Sequence, residues 1–185
     1  MNNQLVQISK FLSFVLRHKP EAIGITLDAE GCVAVEELLA AAGRHGQSIS
    51  REQLEEVVAT NDKKRFSFSP DGQLIRANQG HSVEVDLGLV PIEPPKLLYH
   101  GTVERFLDSI RAQGLLRGNR HHVHLSADRE KAARVGQRRG QPVVLVVEAG
   151  RMHNDGHAFY RSENGVWLTE AVPPEYLRFP EQVEP

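Results

Sequence analysis

Cysteine is almost absent from this 185-residue chain, which contains only Cys32. A single thiol cannot form a disulfide within the chain, so a small secreted fold held together by disulfides is excluded. It also cannot supply the clustered thiolates of a cysteine-based zinc site. Such sparing use of cysteine is typical of a reducing compartment, and we expect the protein to be cytoplasmic.

Long hydrophobic runs are missing as well. The longest, residues 142–150, is far shorter than the ~20 apolar residues that a membrane-spanning helix needs. Residues 1–20 lack the succession of basic, apolar and small residues that marks a secretory signal. We therefore expect neither membrane attachment nor export.

Charge of one sign is not in excess either, because 22 lysines and arginines face 24 aspartates and glutamates and leave a formal net charge of −2. This balance argues against a protein that binds nucleic acid through a large overall positive charge. Any bound anion therefore has to be held by a local cluster of basic side chains. The glycine loops of doubly wound nucleotide-binding folds, GxGxxG and the Walker motif, do not occur. A nucleotide would therefore bind through another architecture.

A proline-rich segment, residues 90–96, divides the sequence into two halves, and we predict that it is an extended linker. In the first half, helical spacing of apolar residues and a Pro-Asp-Gly turn between alternating residues predict three helices and a hairpin. These elements are expected at residues 5–19, 32–46, 49–62 and 65–79. Ser50 is the expected N-cap of the third helix. Helices followed by a two-stranded wing predict a winged-helix lobe over residues 1–89, a fold that commonly binds nucleic acid or protein.

The second half combines many short strands with few helices. Strands are expected at residues 96–102, 122–126, 142–149 and within 166–179. Helices are expected at residues 103–114, closed by Gly114, and at the start of residues 128–140. The pattern predicts a mixed, largely antiparallel lobe over residues 97–185, and the fold class of the whole chain is α+β.

Several polar clusters contain residue types suited to binding an anion. Arg17 and His18 end the first helix, where basic side chains also complement the helix dipole. The other clusters are the basic run before the wing, the loop after it, and residues 117–126. Arginine suits phosphate because its planar guanidinium donates two parallel hydrogen bonds.

Residues 117–126 leave two interpretations open. If Val123 lies in a strand, His122 and His124 share one face, which is a familiar start for a zinc site. The third ligand would come from one of three other histidines, His100, His153 or His157. The arginines of the same segment disfavour a dication and favour a phosphorylated ligand instead, and no HExxH motif occurs.

Six stretches together resemble the RNA 2′-phosphotransferase family known from tRNA splicing. They run in the family's order over nearly the whole chain: LSFVLRHKP, NDKKRF, IRANQGHS, LYHGT, RHHVHLS and NGVWLTEAVPPEYL. The second half separately resembles the diphtheria-toxin-like ADP-ribosyltransferases, which carry His-Gly-Thr or His-Gly-Ser on one strand and a tyrosine or histidine on the next. His100, Gly101 and Thr102 match the first of these places, and His124 matches the second.

The resemblance implies which residues act. The four essential side chains would be Arg17, His18, Arg65 and Arg120. NAD+ would be bound by His100, Gly101, Thr102, Gly114, His122, His124 and Ser126. The RNA would also contact Lys63, Arg76, Gln79, His81 and Ser82. The third ADP-ribosyltransferase position falls near Val166, with Glu163 close by.

The resemblance also implies the reaction. The winged-helix lobe would present an RNA bearing an internal 2′-phosphate, and the second lobe would bind NAD+, which is consumed as a co-substrate without a metal. The 2′-phosphate would attack NAD+, release nicotinamide and form an RNA-2′-phospho-ADP-ribose intermediate. The products would be RNA with a 2′-OH and ADP-ribose 1″,2″-cyclic phosphate. We expect the enzyme to be a monomer.

Two other functions compete with this one. An ADP-ribosyltransferase that modifies a nucleic-acid terminal phosphate or a protein would stop after the first step, but it gives no reason for the basic residues of the first half. A winged-helix DNA-binding regulator with an NAD+-sensing domain would need a basic recognition helix. Residues 51–62 instead carry four acidic residues against one arginine, so binding in a DNA major groove is not expected.

Overall fold

The computed structural model describes residues 2–180, and the chain divides into two compact units, Met1–Gly88 and Leu89–Pro185. Met1 and residues 181–185, at the outer ends of the predicted lobes, lie outside the described residues. Both units mix helices with antiparallel strands, which confirms the α+β fold class. The winged-helix and ADP-ribosyltransferase-like assignments stay predictions. Between residues 2 and 180 no helix combines the length and apolar character that crossing a membrane requires.

The described part of the first unit, residues 2–88, contains three α-helices and three strands. In chain order they are α1 (Asn3–Arg17), β1 (Cys32–Ala34), α2 (Val35–Arg44), α3 (Arg51–Thr60), β2 (Phe66–Phe68) and β3 (Leu74–Ala77), with a 3₁₀ turn at Pro20–Ile23. The apolar residues whose spacing predicted α1 are buried in it: Leu5, Ile8, Leu12, Val15 and Leu16. The helices and the inner face of the sheet enclose one hydrophobic core.

The start of α3 is capped as its sequence predicts. The hydroxyl of Ser50 accepts a hydrogen bond from the backbone N–H of Gln53 (3.2 Å), and Oε1 of Gln53 accepts one from the backbone N–H of Ser50 (3.0 Å). This reciprocal pair satisfies two amide donors that a helix N-terminus otherwise leaves unbonded. The cap fixes where the third helix begins.

In the antiparallel sheet of the first unit, β3 lies between β1 and β2. β2 and β3 form the predicted hairpin, with Phe68 opposite Ile75. The prediction that the second helix begins at Cys32 is wrong, because residues 32–34 pair with β3 and the helix begins at Val35. Val33 is β-branched and 3% exposed, so it packs well on a pleated strand.

Within residues 89–180, the second unit has two three-stranded antiparallel sheets and a two-stranded ribbon. Its strands are β4 (Leu98–Val103), β5 (Leu115–Leu116), β6 (Val123–Leu125), β7 (Pro142–Val147), β8 (Phe159–Arg161), β9 (Trp167–Thr169), β10 (Ala171–Val172) and β11 (Leu177–Arg178). The sheet orders are β11-β7-β4 and β6-β9-β8, and β5 pairs with β10. Tyr99 and Ser126 exchange two backbone hydrogen bonds (2.8 and 2.9 Å), which join β4 to the end of β6.

Three helices complete this unit: α4 (Leu107–Gln113), α5 (Arg129–Gln137) and α6 (Ala149–Asn154). The helix expected at residues 103–114 starts later than predicted, because Glu104–Phe106 form a 3₁₀ turn first. It ends at Gly114 as predicted. Gly114 has a φ of +74°, and a Cβ there would lie 2.0 Å from the carbonyl oxygen of Val172, so glycine is required.

α5 packs directly on β4 through two glycines. A Cβ on Gly101 would lie 1.7 Å from the carbonyl oxygen of Ala132, and one on Gly136 would lie 2.6 Å from the carbonyl oxygen of Thr102. Both distances are far inside van der Waals contact, so only glycine lets the two backbones approach this closely. The structure thus supplies a packing reason for Gly101, while its contact with NAD+ stays a prediction.

Residues 90–96, predicted as a linker, contain no helix or strand. The backbone N–H of Ile92 donates to the carbonyl of Phe159 (2.9 Å), and the N–H of Gly150 donates to the carbonyl of Lys96 (3.0 Å). Pro94 is buried. Much of this segment therefore packs on the second unit.

Candidate active site

In the first unit, Arg17 and His18 end α1 and are held by the loop that follows β3. Nη2 of Arg17 donates to Oε1 of Gln79 (3.1 Å), and Nδ1 of His18 lies 2.9 Å from the hydroxyl of Ser82. The backbone N–H of Ser82 also donates to the carbonyl of Arg17 (2.8 Å). Gln79 and Ser82, two predicted RNA-binding residues, therefore contact Arg17 and His18, two of the predicted catalytic residues.

The guanidinium of Arg17 lies beside both the loop and the sheet. Its central carbon is 6.0 Å from the centroid of the Phe66 ring, at the outer limit of a cation–π contact. A Cβ on Gly80 would lie 3.6 Å from the same carbon, and Gly80 has a φ of +85° that side-chain-bearing residues rarely adopt. The left-handed turn at Gly80 lets the loop fold over the arginine.

Arg65 follows a tight turn organised by Asn61, whose side chain is 3% exposed. Oδ1 of Asn61 accepts hydrogen bonds from the backbone N–H of Lys63 (3.1 Å) and from Nη1 of Arg65 (3.4 Å), and its Nδ2 donates to the hydroxyl of Ser9 (3.1 Å). Lys64 has a φ of +41°, a left-handed conformation that is uncommon outside glycine. Partial burial lowers the pKa of Arg65, yet an arginine keeps its proton at neutral pH.

Asn78 connects this turn to the loop after β3. Its Nδ2 donates to the carbonyl of Lys64 (2.7 Å), its backbone N–H donates to the carbonyl of Arg65 (2.8 Å), and its Oδ1 accepts from the hydroxyl of Ser67. Asn61 and Asn78 are absent from the predicted site, although both lie in stretches that carried the resemblance. Through these hydrogen bonds Asn61 and Asn78 tie the Arg65 turn to the loop that contains Gln79 and Ser82.

The remaining predicted RNA-binding residues of this unit are placed differently. Lys63 is exposed in the turn before β2. Arg76 lies on β3 opposite Cys32. The pKa of the Cys32 thiol is raised, chiefly by burial, and the charge of Arg76 offsets part of this increase. His81 is 2% exposed and packs near Gly31, so burial disfavours its direct contact with RNA.

In the second unit, three predicted residues form a connected cluster. Nδ1 of His100 lies 3.1 Å from the carbonyl oxygen of His124, and Nη1 of Arg120 donates to Nδ1 of His124 (3.4 Å). Burial lowers the pKa of His100, and the charge of Arg139 lowers it further, while its hydrogen bond to His124 acts against both. His100 is therefore neutral at neutral pH.

Arg120 is exposed as a residue, but neighbouring groups partly desolvate its guanidinium. This desolvation lowers the pKa of Arg120, with a further contribution from the charge of Arg139. Arg139 is absent from the predicted site. Nothing local in the sequence marks Arg139, because the groups on which its charge acts, His100 and Arg120, lie in earlier segments of the chain.

The other predicted NAD+-binding residues lie on several strands and turns of the second unit. The ring of His122 packs against Tyr160 (5.4 Å between centroids), and burial, followed by the charges of two basic neighbours, lowers the pKa of His122. The hydroxyl of Ser126 accepts a hydrogen bond from the N–H of Asp128 (3.1 Å), immediately before α5, and Thr102 is buried. Gly114 lies at the turn between α4 and β5.

The third ADP-ribosyltransferase position corresponds to the turn between β8 and β9. Ser162 and Val166 close this turn, because the hydroxyl of Ser162 accepts a hydrogen bond from the N–H of Val166 (3.1 Å). Glu163 is exposed within it. The role of either Glu163 or Val166 stays a prediction.

Comparison with known proteins identifies the family of the chain. The family model described as "RNA 2'-phosphotransferase, Tpt1 / KptA family" matches residues 3–171. The chain belongs to this family. The match spans most of both units and includes all the predicted site residues, so it confirms the family resemblance drawn from the six stretches.

Individual relatives in the RNA 2′-phosphotransferase family are similar over nearly their whole length. A protein of Acaryochloris marina is 57% identical over 177 residues, which cover 96% of this chain and 98% of the relative. One of Streptomyces griseus is 60% identical over 179 residues, 93% of this chain and 95% of the relative. One of Pseudomonas aeruginosa is 57% identical over 171 residues, 92% and 94% respectively. All three are named "Probable RNA 2'-phosphotransferase".

The zinc interpretation gains no geometric support in this member of the RNA 2′-phosphotransferase family. Among residues 2–180, no three histidine, cysteine, aspartate or glutamate side chains are grouped so as to hold a metal ion. His153 and His157, two of the candidate third ligands, line a surface depression of about 380 Å³ with Ile92 and Phe159. None of the predicted catalytic or NAD+-binding residues lines that depression.

Proposed function

We propose that this chain is an NAD+-dependent RNA 2′-phosphotransferase, with a winged-helix lobe for the RNA and an ADP-ribosyltransferase-like lobe for NAD+. The observation that carries the proposal is the set of hydrogen bonds around Arg17, His18 and Arg65. Gln79 and Ser82 of the loop after β3 bond Arg17 and His18, and the buried Asn61 and Asn78 bond the Arg65 turn, in a chain that belongs to this family. The name that the relatives carry supports RNA 2′-phosphotransferase activity.

The basic side chains of the first unit suit an RNA 2′-phosphate. A phosphate monoester carries up to two negative charges, and Arg17 and Arg65 both donate charge-assisted hydrogen bonds. His18 adds a third polar group at the helix end. Because the whole chain has a formal net charge of −2, this cluster has to supply the attraction locally.

The cluster of the second unit suits NAD+. Nδ1 of a neutral His100 donates to the carbonyl of His124, so its Nε2 can accept a hydrogen bond from a ribose hydroxyl group, and the hydroxyl of Thr102 can donate or accept one. Arg120 and Arg139 provide positive charge for an anionic dinucleotide. His124 is hydrogen-bonded to both Arg120 and His100 and so links these two residues.

In the first step, an oxygen of the RNA 2′-phosphate bonds to C1″ of the nicotinamide ribose while the bond from C1″ to nicotinamide breaks. Nicotinamide is a cationic pyridinium before it leaves and a neutral molecule afterwards, so no strong general acid is required. The protein has to orient two anionic reactants, and holding them in place supplies much of the rate enhancement. Arg17, His18 and Arg65 perform this task for the phosphate.

In the second step, the ribose 2″-hydroxyl attacks the phosphorus of the RNA-2′-phospho-ADP-ribose intermediate. The bond from phosphorus to the RNA 2′-oxygen breaks, and that oxygen receives the proton that the 2″-hydroxyl gives up. The products are RNA with a 2′-OH and ADP-ribose 1″,2″-cyclic phosphate. Arg120 stabilises the charge on the phosphoryl oxygens, and a preorganised donor of this kind typically contributes about 3–4 kcal/mol.

The proposal is tested by incubating the full chain with an oligoribonucleotide that bears one internal 2′-phosphate, with and without NAD+. We expect nicotinamide, dephosphorylated RNA and the cyclic phosphate in equal amounts, and only when NAD+ is present. Dephosphorylation without NAD+ would overturn the proposal. Accumulation of ADP-ribosylated RNA as the end product would instead favour an ADP-ribosyltransferase that stops after the first step.

A further inference from the structure

Phe14 lies on the solvent-facing side of α1. It is 45% exposed, whereas Leu12 and Val15 on the opposite side of the helix are fully buried. Phe11, one turn earlier, packs against the hydrophobic core of the first unit. Among residues 2–88, Phe14 is the only large hydrophobic residue that is exposed. Packing within the unit therefore does not account for a phenylalanine at this position.

Phe14 is one helical turn from two of the predicted catalytic residues. On a helix surface, residues three and four apart are neighbours, and Phe14 precedes Arg17 by three residues and His18 by four. The carbonyl of Phe14 accepts hydrogen bonds from the backbone N–H groups of His18 (3.1 Å) and Lys19 (2.9 Å), which close the end of α1. The backbone that carries the aromatic ring is therefore fixed beside the side chains proposed to hold the 2′-phosphate.

The outward face of α1 is basic around this ring. The helix contains no acidic residue, and Lys10 is exposed one turn before Phe14. Phe14 thus lies between two positively charged residues of the same face, Lys10 and Arg17. Proteins bind single-stranded nucleic acid through this combination, in which basic groups contact phosphates and an aromatic ring stacks on a base. An apolar contact with a protein partner needs a larger contiguous patch, which one phenylalanine among polar residues does not provide.

We propose that Phe14 stacks on a base of the RNA beside the 2′-phosphate, so that α1 binds the substrate through a nucleobase as well as through its phosphate. The proposal rests on the proposed function and extends it to a residue that has no role in the predicted site. Every base has a flat aromatic face, so this contact accepts any base at the modified junction. Purines stack over a larger area, and they bind more tightly there than pyrimidines.

The test measures RNA binding by variants of Phe14 without NAD+, so that no reaction occurs. A fluorescent oligoribonucleotide with one internal 2′-phosphate is titrated with protein, and its anisotropy is followed. We expect Phe14→Ala to weaken binding about ten- to a hundredfold, which is the size of a base–aromatic stacking contact. Phe14→Leu loses nearly as much, because leucine is apolar but cannot stack, and Phe14→Trp retains the affinity.

Gln7→Ala is the matched control. Gln7 is exposed on the same face of α1, two turns before Phe14, and its replacement leaves the RNA affinity unchanged. Phe14→Ala is expected to fold, since Phe14 is exposed and alanine favours a helix more than phenylalanine does. Far-ultraviolet circular dichroism during urea unfolding checks this for each variant.

Removing one base from the RNA separates stacking from any effect on the fold of the protein. Three oligoribonucleotides are prepared, each with an abasic nucleotide at the 2′-phosphate or immediately before or after it. For the wild type, one of these changes weakens binding about as much as Phe14→Ala does. For Phe14→Ala the same change has little further effect, because both changes remove the same contact.

Steady-state rates give another readout. Stacking on a base away from the reacting atoms stabilises the bound substrate and the transition state equally. Phe14→Ala therefore raises the KM for the RNA in about the same proportion and leaves kcat and the KM for NAD+ unchanged.

Several results would overturn the stacking proposal. Wild-type RNA affinity in folded Phe14→Ala would do so, as would equal losses from base removal in the wild type and the variant at all three positions. Unchanged RNA affinity together with a smaller oligomer in light scattering would assign Phe14 to a contact between copies of the chain. If the wild type fails to dephosphorylate this RNA with NAD+, the proposed function fails, and this inference with it. An active wild type beside an unaffected Phe14→Ala refutes only the stacking.

Discussion

Replacing Gly136 with alanine tests the close crossing of α5 over β4. The added Cβ would lie 2.6 Å from the carbonyl oxygen of Thr102, whereas ordinary contact begins at about 3.4 Å. The obstacle is backbone within a paired strand and cannot rotate away, so α5 has to move by roughly 0.8 Å relative to β4. We expect a loss of folding stability in the second unit.

The size of the loss follows from two opposing terms. Overpacking of a well-packed interior costs about 1–3 kcal/mol. Replacing glycine with alanine within a helix returns up to about 1 kcal/mol. The net destabilisation is about 1–2 kcal/mol, which lowers a urea midpoint by about 1 M at an m-value of about 1.5 kcal/mol per M.

Trp167 makes the measurement specific to the second unit. It is the single tryptophan of the chain, and it is 6% exposed in the hydrophobic core of that unit. Its fluorescence is followed during urea unfolding of the wild type and of Gly136→Ala. An unchanged or higher midpoint for the variant would refute the argument from the close crossing.

Gly43 provides the matched control. It is the next-to-last residue of α2, as Gly136 is of α5, and a Cβ there would meet nothing within 4 Å. Gly43→Ala is expected to stabilise the first unit by about 0.5–1 kcal/mol, measured by far-ultraviolet circular dichroism. The same substitution at equivalent helix positions therefore has opposite effects.

Four further predictions concern the candidate site. Asn61→Ala removes a buried hydrogen-bond acceptor, so it destabilises the first unit by about 1–3 kcal/mol and lowers kcat/KM for the RNA about tenfold. Asn61→Asp keeps the acceptor and most of the activity, and equal losses in the two variants would contradict a positioning role. The pKa values of His100 and His122 are lowered in the folded state, so the unfolded chain binds more protons just below pH 6.5. The folding stability that Trp167 fluorescence reports therefore falls as the pH drops from 7 to 5, by at most about 1.4 kcal/mol per pH unit for His100 and by less for His122, which solvent partly screens. His122→Asn makes this dependence shallower, and a midpoint independent of pH would refute it. Arg120→Ala blocks the second step and traps RNA-2′-phospho-ADP-ribose, visible on a gel; normal turnover by the variant would exclude the assigned role. EDTA leaves the activity unchanged, and a loss that zinc restores would revive the metal interpretation.

The elements of the fold were largely predictable because their signals are local. The spacing of Leu5, Leu12 and Leu16 identifies α1, and a Pro-Asp-Gly turn identifies the hairpin of β2 and β3. The start of α2 was not predictable in this way. Whether residues 32–34 form a strand depends on their pairing with β3, some forty residues later in the chain.

The candidate site was predictable only where a residue type carries its own chemical signal. An arginine next to a histidine draws attention, whereas Asn61 and Asn78 look like ordinary turn residues. Only the structure shows that Asn61 accepts a hydrogen bond from the Arg65 guanidinium and that Asn78 donates to the backbone carbonyls of Lys64 and Arg65. The role of Gly136 depends on its close approach to Thr102 of β4, more than thirty residues away in sequence. Long-range packing of this kind leaves no local pattern.

The central claim is that the 2′-phosphate is transferred to the ADP-ribose part of NAD+. The most direct measurement labels the internal 2′-phosphate of an RNA with ³²P and follows the label by chromatography during a single turnover. We predict that the label first joins RNA-2′-phospho-ADP-ribose and then appears quantitatively in ADP-ribose 1″,2″-cyclic phosphate. Release of the label as inorganic phosphate would contradict the claim.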